Sequence, residues 1–204
     1  PKQQFAQRRM ALMQWMGSDS IAIVPAALQY IRNRDADYRY RQDSDFYYLS
    51  GFAEPEAVIC IIPNRPQGEF ILFCREKDRE REIWDGYRAG VEGAIEIFGA
   101  DDSYPISKLD EIIPVLMEGK KRLYVNLGAQ PEFDARVMNW VNSLRAKTRQ
   151  GAKAPAEFVM LNHLLHELRL YKSADELSIM RKAGTISAHA HIRAMQKAKH
   201  GLYE

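Results

Sequence analysis

Two apolar runs, "AVICII" (57–62) and "EFILFC" (69–74), flank the segment "PNRPQG". Valine, isoleucine, phenylalanine and cysteine suit a pleated strand, whereas Pro63, Asn64, Pro66 and Gly68 are the residues a chain uses to reverse direction. The segment predicts a β-hairpin at the centre of a sheet. Pairing around that turn sets Cys60 opposite a residue near Ile71 and not opposite Cys74. These are the only two cysteines, so they are expected to be buried thiols, with no disulfide and a reducing compartment.

The flanking chain supplies the other layer of such a fold. Residues 3–16 place Phe5, Met10 or Arg9, Leu12 or Met13, and Met16 on one helical face and stop at Gly17, followed by a strand at "SIAIVPA". Downstream, "VEGAIEIFG" and "ISKLDEIIPVLMEG" read as helices and "RLYVNLG" as a strand. "EFDARVMNWVNSLRA" reads as a helix with Phe133, Val137, Trp140 or Val141, and Leu144 inward. Segment 157–173 reads as an amphipathic helix or a strand–helix pair. Alternating strands and helices give an α/β class. From Ser173, a capping box with Glu176 opens one helix of about seven turns, with Gly201 as its stop signal. Its stripe of Leu177, Met180, Gly184, Ser187 or Ala188, His191 and Ala194 must cover something, so the chain is expected to stop in mid-protein.

Composition excludes several classes. With 46% hydrophobic and 27% charged residues, the chain is neither disordered nor fibrous, and a net charge of +2 gives no field for nucleic acid or an anionic membrane. No apolar run approaches the roughly 18 residues of a membrane span, and no signal peptide is visible. A cytoplasmic location is expected. The five histidines do not form a metal motif. His163 and His166 are three residues apart without the zinc-peptidase spacing, while His189 and His191 point about 200° apart on a helix. No glycine-rich phosphate loop or nucleophile elbow is present, and Ser44 has no nearby histidine. No catalytic residue is expected in this chain.

The stretch "YRYRQDSDFYYLSGFAEPEA" (38–57) concentrates six aromatic rings, and from its residues alone it reads either as a core strand with its edge loops or as a surface that grips something. It also closely resembles the signature of the aminopeptidase P N-terminal domain, through Tyr38, Arg41, Gln42, Ser44, Asp45, Phe46, Tyr48, Leu49, Gly51, Phe52, Glu54 and Pro55. "EIWDGYRAG" (82–90) and "HELRLYKSADELSIMRKAGTISAHAH" (166–191) are similar to two further family motifs, in the same order.

The resemblance implies a ribonuclease-H-like mixed β-sheet flanked by helices over residues 1–172. Residues 173–204 would be the first helix of a pita-bread catalytic domain outside this chain. It implies a parent enzyme that removes the N-terminal residue from X-Pro peptides using two Mn²⁺ ions, with no metal bound and no activity in this part alone. It also implies a homo-oligomer, dimer or tetramer, in which Trp84 reaches a neighbouring subunit's active site. The competing reading of Trp84 is a local core anchor. Asp35 and Arg149 match positions of charged groups near the family's cleft, or else are surface-loop residues. Tyr38, Phe46, Tyr48 and Phe52 would fill the core or the domain interface, and Gly51 would permit a tight turn. Alternatives on the same fold are a prolidase or creatinase, or a metal-less peptide-binding module.

Overall fold

The structure is a computed structural model describing residues 2–203, and it divides into one unit ending at Leu168 and a second beginning at Arg169. Helix α1 (Lys2–Met16) turns Leu12 and Met16 inward, and strand β1 (Ser20–Pro25) follows. Next come two short exposed strands, β2 (Ile31–Asn33) and β3 (Ala36–Asp37), then α2 (Ser44–Ser50) and the hairpin of β4 (Val58–Ile61) and β5 (Phe70–Cys74). Helices α3 (Arg79–Asp85) and α4 (Gly90–Glu96) lead to β6 (Asp102–Pro105), α5 (Leu109–Met117), β7 (Arg122–Val125) and α6 (Pro131–Ala146). Strand β8 (Glu157–Met160) and α7 (Leu161–Leu170) precede α8 (Ala174–Lys197).

Six strands form one mixed sheet in the order β6-β5-β4-β1-β7-β8. Only β4 runs against its neighbours; the pairs β1–β7, β7–β8 and β5–β6 are parallel. Because side chains alternate along a strand, β1 sends Ala22 and Val24 to one face and Ile21 and Ile23 to the other. The first face is covered by Leu12 and Met16 of α1, Phe46 and Leu49 of α2, and Leu161 and Leu165 of α7. The second is covered by Ile113 and Met117 of α5 and by one stripe of α6. That stripe is Phe133, Val137, Trp140, Val141 and Leu144, so both alternatives at 140/141 face inward. The central hairpin has the expected register, Cys60 opposite Ile71, and both cysteines are free and buried. The expected architecture holds: a mixed sheet flanked by helices, ending in a long helix.

The aromatic stretch departs from the strand reading. Asp43 caps a helix there, its Oδ1 accepting from the N–H groups of Asp45 and Phe46 at 2.9 Å each, and Gly51 ends it in the left-handed region at φ 69°. A side chain at Gly51 would also collide with the Phe5 ring, 2.5 Å from where its Cβ would lie. Phe46 and Phe52 are buried as the resemblance implied, and so is Leu49, but Tyr38 is 58% exposed and fills no core.

In the second unit, the Ser173–Glu176 capping box is formed in both directions. Helix α8 ends at Lys197, ahead of Gly201, and none of its residues is buried.

Candidate functional site

Strand β5 leaves the sheet at Arg75, and the chain returns to the core at Ala89. Between them lies "EKDREREIWDGYR", most of it charged, with α3 at its centre. A seven-residue helix is too short to stand by itself in water, and none of its side chains is buried. Polar contacts hold it. Asp78 caps its start, accepting from the N–H groups of Glu80 and Arg81 at 3.1 Å. Beyond its end, Glu82 accepts from the Arg88 N–H at 2.8 Å, and Arg88 Nη2 donates to Asp85 Oδ2 at 2.7 Å. The apolar residues point away from the sheet: Ile83, Trp84 and Tyr87 are exposed, Trp84 by 85%. An exposed apolar group rimmed by charge is the composition of an interaction surface.

Below α3 lies a cleft of about 710 Å³ lined by Arg75, Lys77, Asp78, Arg81, Asp85 and Arg88, among others. Two of its lining residues, Arg75 and Arg88, have largely buried side chains and stand beside a third buried charge. Glu54, from the loop before β4, sets Oε1 2.8 Å from the Ala89 N–H and Oε2 3.7 Å from Arg75 Nη2. The second distance is an ion pair too long for a hydrogen bond. Glu54 Oε2, Arg75 Nε and Arg88 Nε have no hydrogen-bond partner. Burial pushes the Glu54 carboxyl above its ordinary range, against the opposing pull of the Ala89 N–H, Arg75 and Arg88. The loop bearing Glu54 is itself fixed by buried Gln42. Its Nε2 donates to the Glu54 carbonyl at 2.9 Å, and its Oε1 accepts from the Ala27 N–H at 2.8 Å.

Trp84 leaves the sheet after β5. Asp35, in the turn between β2 and β3, follows β1, which runs the same way, so both lie past the C-terminal ends of these parallel-running strands. Arg149 sits in a 3₁₀ turn at Thr148–Gln150, after α6 and before β8 begins, and so precedes the N-terminal end of a strand that runs the same way as β1. All three are exposed. The topology brings the first two to one side and separates the third. Among the described residues, no three His, Cys, Asp or Glu side chains group so that they could hold a metal ion. No helix among them is long and apolar enough to cross a membrane. Glu54, Arg75 and Arg88 were not candidates from sequence. Glu54 and Arg88 lie inside the first and second family motifs, while the signal at Arg75 is a charge abutting the apolar run "FILFC".

The family model for the aminopeptidase P N-terminal domain matches residues 5–124. The chain belongs to that family. The Xaa-Pro aminopeptidase of Escherichia coli K12 is 38% identical over 204 residues, which is all of this chain and 46% of that protein. The corresponding enzyme of Haemophilus influenzae is 31% identical over the same span, 45% of its length. Among solved structures, Pseudomonas aeruginosa aminopeptidase PepP matches with a TM-score of 0.97 and 59% identity, covering all of this chain and 46% of that one. A zinc-substituted E. coli aminopeptidase P in complex with product matches with a TM-score of 0.95 and 38% identity, covering 100% and 47%. The chain thus spans about half the length of the aminopeptidase P relatives it matches.

Proposed function

We propose that this chain is the non-catalytic N-terminal domain of an Xaa-Pro aminopeptidase, serving oligomerisation and shaping the active site of an enzyme that releases the first residue of X-Pro peptides. What carries the reading is similarity over the whole of this chain to one half of Xaa-Pro aminopeptidases, together with a tryptophan that this domain leaves exposed. Residues 1–172 form that domain, and 173–204 form the first helix of a metallopeptidase domain, in a cytoplasmic homo-oligomer. On this reading the two-manganese centre lies outside this chain.

Proline defines the recognition problem. Its nitrogen carries no N–H, so an X-Pro bond is selected by ring shape and enclosure more than by amide hydrogen bonding. A flat indole on a protruding helix is suited to wall off such a substrate in a neighbouring subunit. In the full-length protein, Trp84→Ala should leave assembly and folding intact while lowering turnover of longer X-Pro peptides, read as kcat/KM. Unchanged kinetics would remove Trp84 from the site. The 204-residue chain alone should neither bind Mn²⁺ stoichiometrically in calorimetry nor cleave X-Pro peptides; tight, stoichiometric binding would overturn the placement of the metals.

A further inference from the structure

The excursion that carries Trp84 has both of its feet at one carboxylate. Upstream, Arg75 brings Nη2 to 3.7 Å from Glu54 Oε2, with Glu56 Oε1 at 4.0 Å from Nη1; downstream, the Ala89 N–H donates to Glu54 Oε1 at 2.8 Å. The feet also touch one another. Gly90 stands at φ 70°, and a Cβ there would lie 2.7 Å from Lys77 Cγ. Segment 76–88 is therefore a loop with closed ends, the geometry in which a few contacts at the base orient everything beyond them. Nothing else fixes α3 to the sheet through apolar burial, since it has no buried residue.

The geometry points to Glu54 as the positioning residue of the Trp84 excursion: one carboxylate that grips the strand leaving the sheet and the backbone returning to it, and so aims the indole. This rests on the reading of Trp84 as part of a neighbour's site. The alternative, that Glu54 serves only the stability of the domain, fits its environment poorly. The side chain is 16% exposed, one oxygen has no hydrogen bond, and burial disfavours its charged form. A carboxyl held where burial disfavours its charged form is more often retained for function than for stability. Gln42 supplies the rigidity on which such a grip depends, since it ties the Glu54 backbone to Ala27, just beyond β1.

The test uses the full-length protein with Glu54→Ala, Glu54→Gln, Trp84→Ala and the double variant Glu54→Ala/Trp84→Ala. Hydrogen exchange followed by mass spectrometry reads peptides over 76–89 against peptides over β4 and β5. In Glu54→Ala, exchange over 76–89 should quicken at least tenfold while the strands keep their rates. KM for X-Pro peptides should rise in the same direction as in Trp84→Ala, and the double variant should be no worse than the poorer single one. Exchange over 76–89 that does not change, or that quickens equally in the strands, overturns the proposal. If Glu54→Ala does not fold, Glu54→Gln decides on the same readout. It keeps an oxygen for the Ala89 N–H but loses the charge facing Arg75, so quickening should be confined to the upstream foot, and no local change overturns the proposal. The kinetics of Trp84→Ala separate the two levels. If that variant is fully active, the role of Trp84 falls, while the exchange rates still show whether Glu54 holds the excursion.

Discussion

Trp140 and Trp84 are the same side chain put to opposite uses. On α6, Trp140 is 3% exposed; its ring meets Phe133 edge to face at 5.7 Å, and its Nε1–H donates to Asp110 Oδ1 at 2.7 Å. Both demands of a buried indole, apolar contact and a partner for its one N–H, are met within the domain. Trp84, on α3, has neither burial nor a neighbouring apolar stripe. A sixteen-residue helix with five inward positions makes a tryptophan structural, whereas a seven-residue helix with none leaves it available to something else.

The largest expected effect is on the buried member of the pair. Trp140→Ala should cost roughly 3 to 5 kcal/mol, read as a shift in the denaturation midpoint, because it opens a cavity between α6 and α5. Trp140→Phe keeps most of the ring but leaves Asp110 without the indole N–H. It should cost about 1 to 2 kcal/mol, the worth of a hydrogen bond to a charged acceptor that keeps Arg136 at 3.1 Å.

The folded-state pKa of Glu54 lies above its ordinary 4.5, so its stabilising contribution is complete below 4.5 and is lost as pH rises through the elevated value. Denaturation midpoints should therefore favour Glu54→Gln over the wild type progressively as pH rises across that window, and a difference that runs the other way would reverse the assigned cause. Smallest of all, Trp84→Ala should move stability by less than about 1 kcal/mol. A loss comparable to that of Trp140→Ala would show that Trp84, too, is a structural residue of the domain.

The parts of this structure that could be read from sequence are those where one periodicity dominates. The hairpin register followed from two apolar runs and their turn, the inward face of α6 from its 3.6-residue repeat, and the start of α8 from Ser173 and Glu176. Helix α2 was obscured because Phe46, Tyr47 and Tyr48 carry strand propensity, while the decisive cue, Asp43 as cap with Gly51 as stop, is local and short. Strand β6, "DSYP", carries no strand pattern: Asp102 and Pro105 are poor strand formers, and it exists because β5 offers it an edge, with Leu72 opposite Ser103. Of the two places the resemblance implied for Tyr38, core or domain interface, the core is excluded, because Tyr38 follows a two-stranded hairpin whose residues are all exposed. At the candidate site, the exposure of Trp84 was legible from its charged neighbours. The buried charges beneath it were not, since Glu54, Arg75 and Arg88 meet only through the chain's long-range path.

The burial of the two thiols has a practical side. Cys60 lies in the middle of β4 and Cys74 at the end of β5 beside Pro105, and burial raises both thiols out of the range in which they react, Cys74 to about 11. Each becomes modifiable only when its own part of the sheet opens. Native-state alkylation followed by mass spectrometry would then time two distinct events in the wild-type chain. Cys74 would report the peeling of the outermost strand, and Cys60 the opening of the whole sheet.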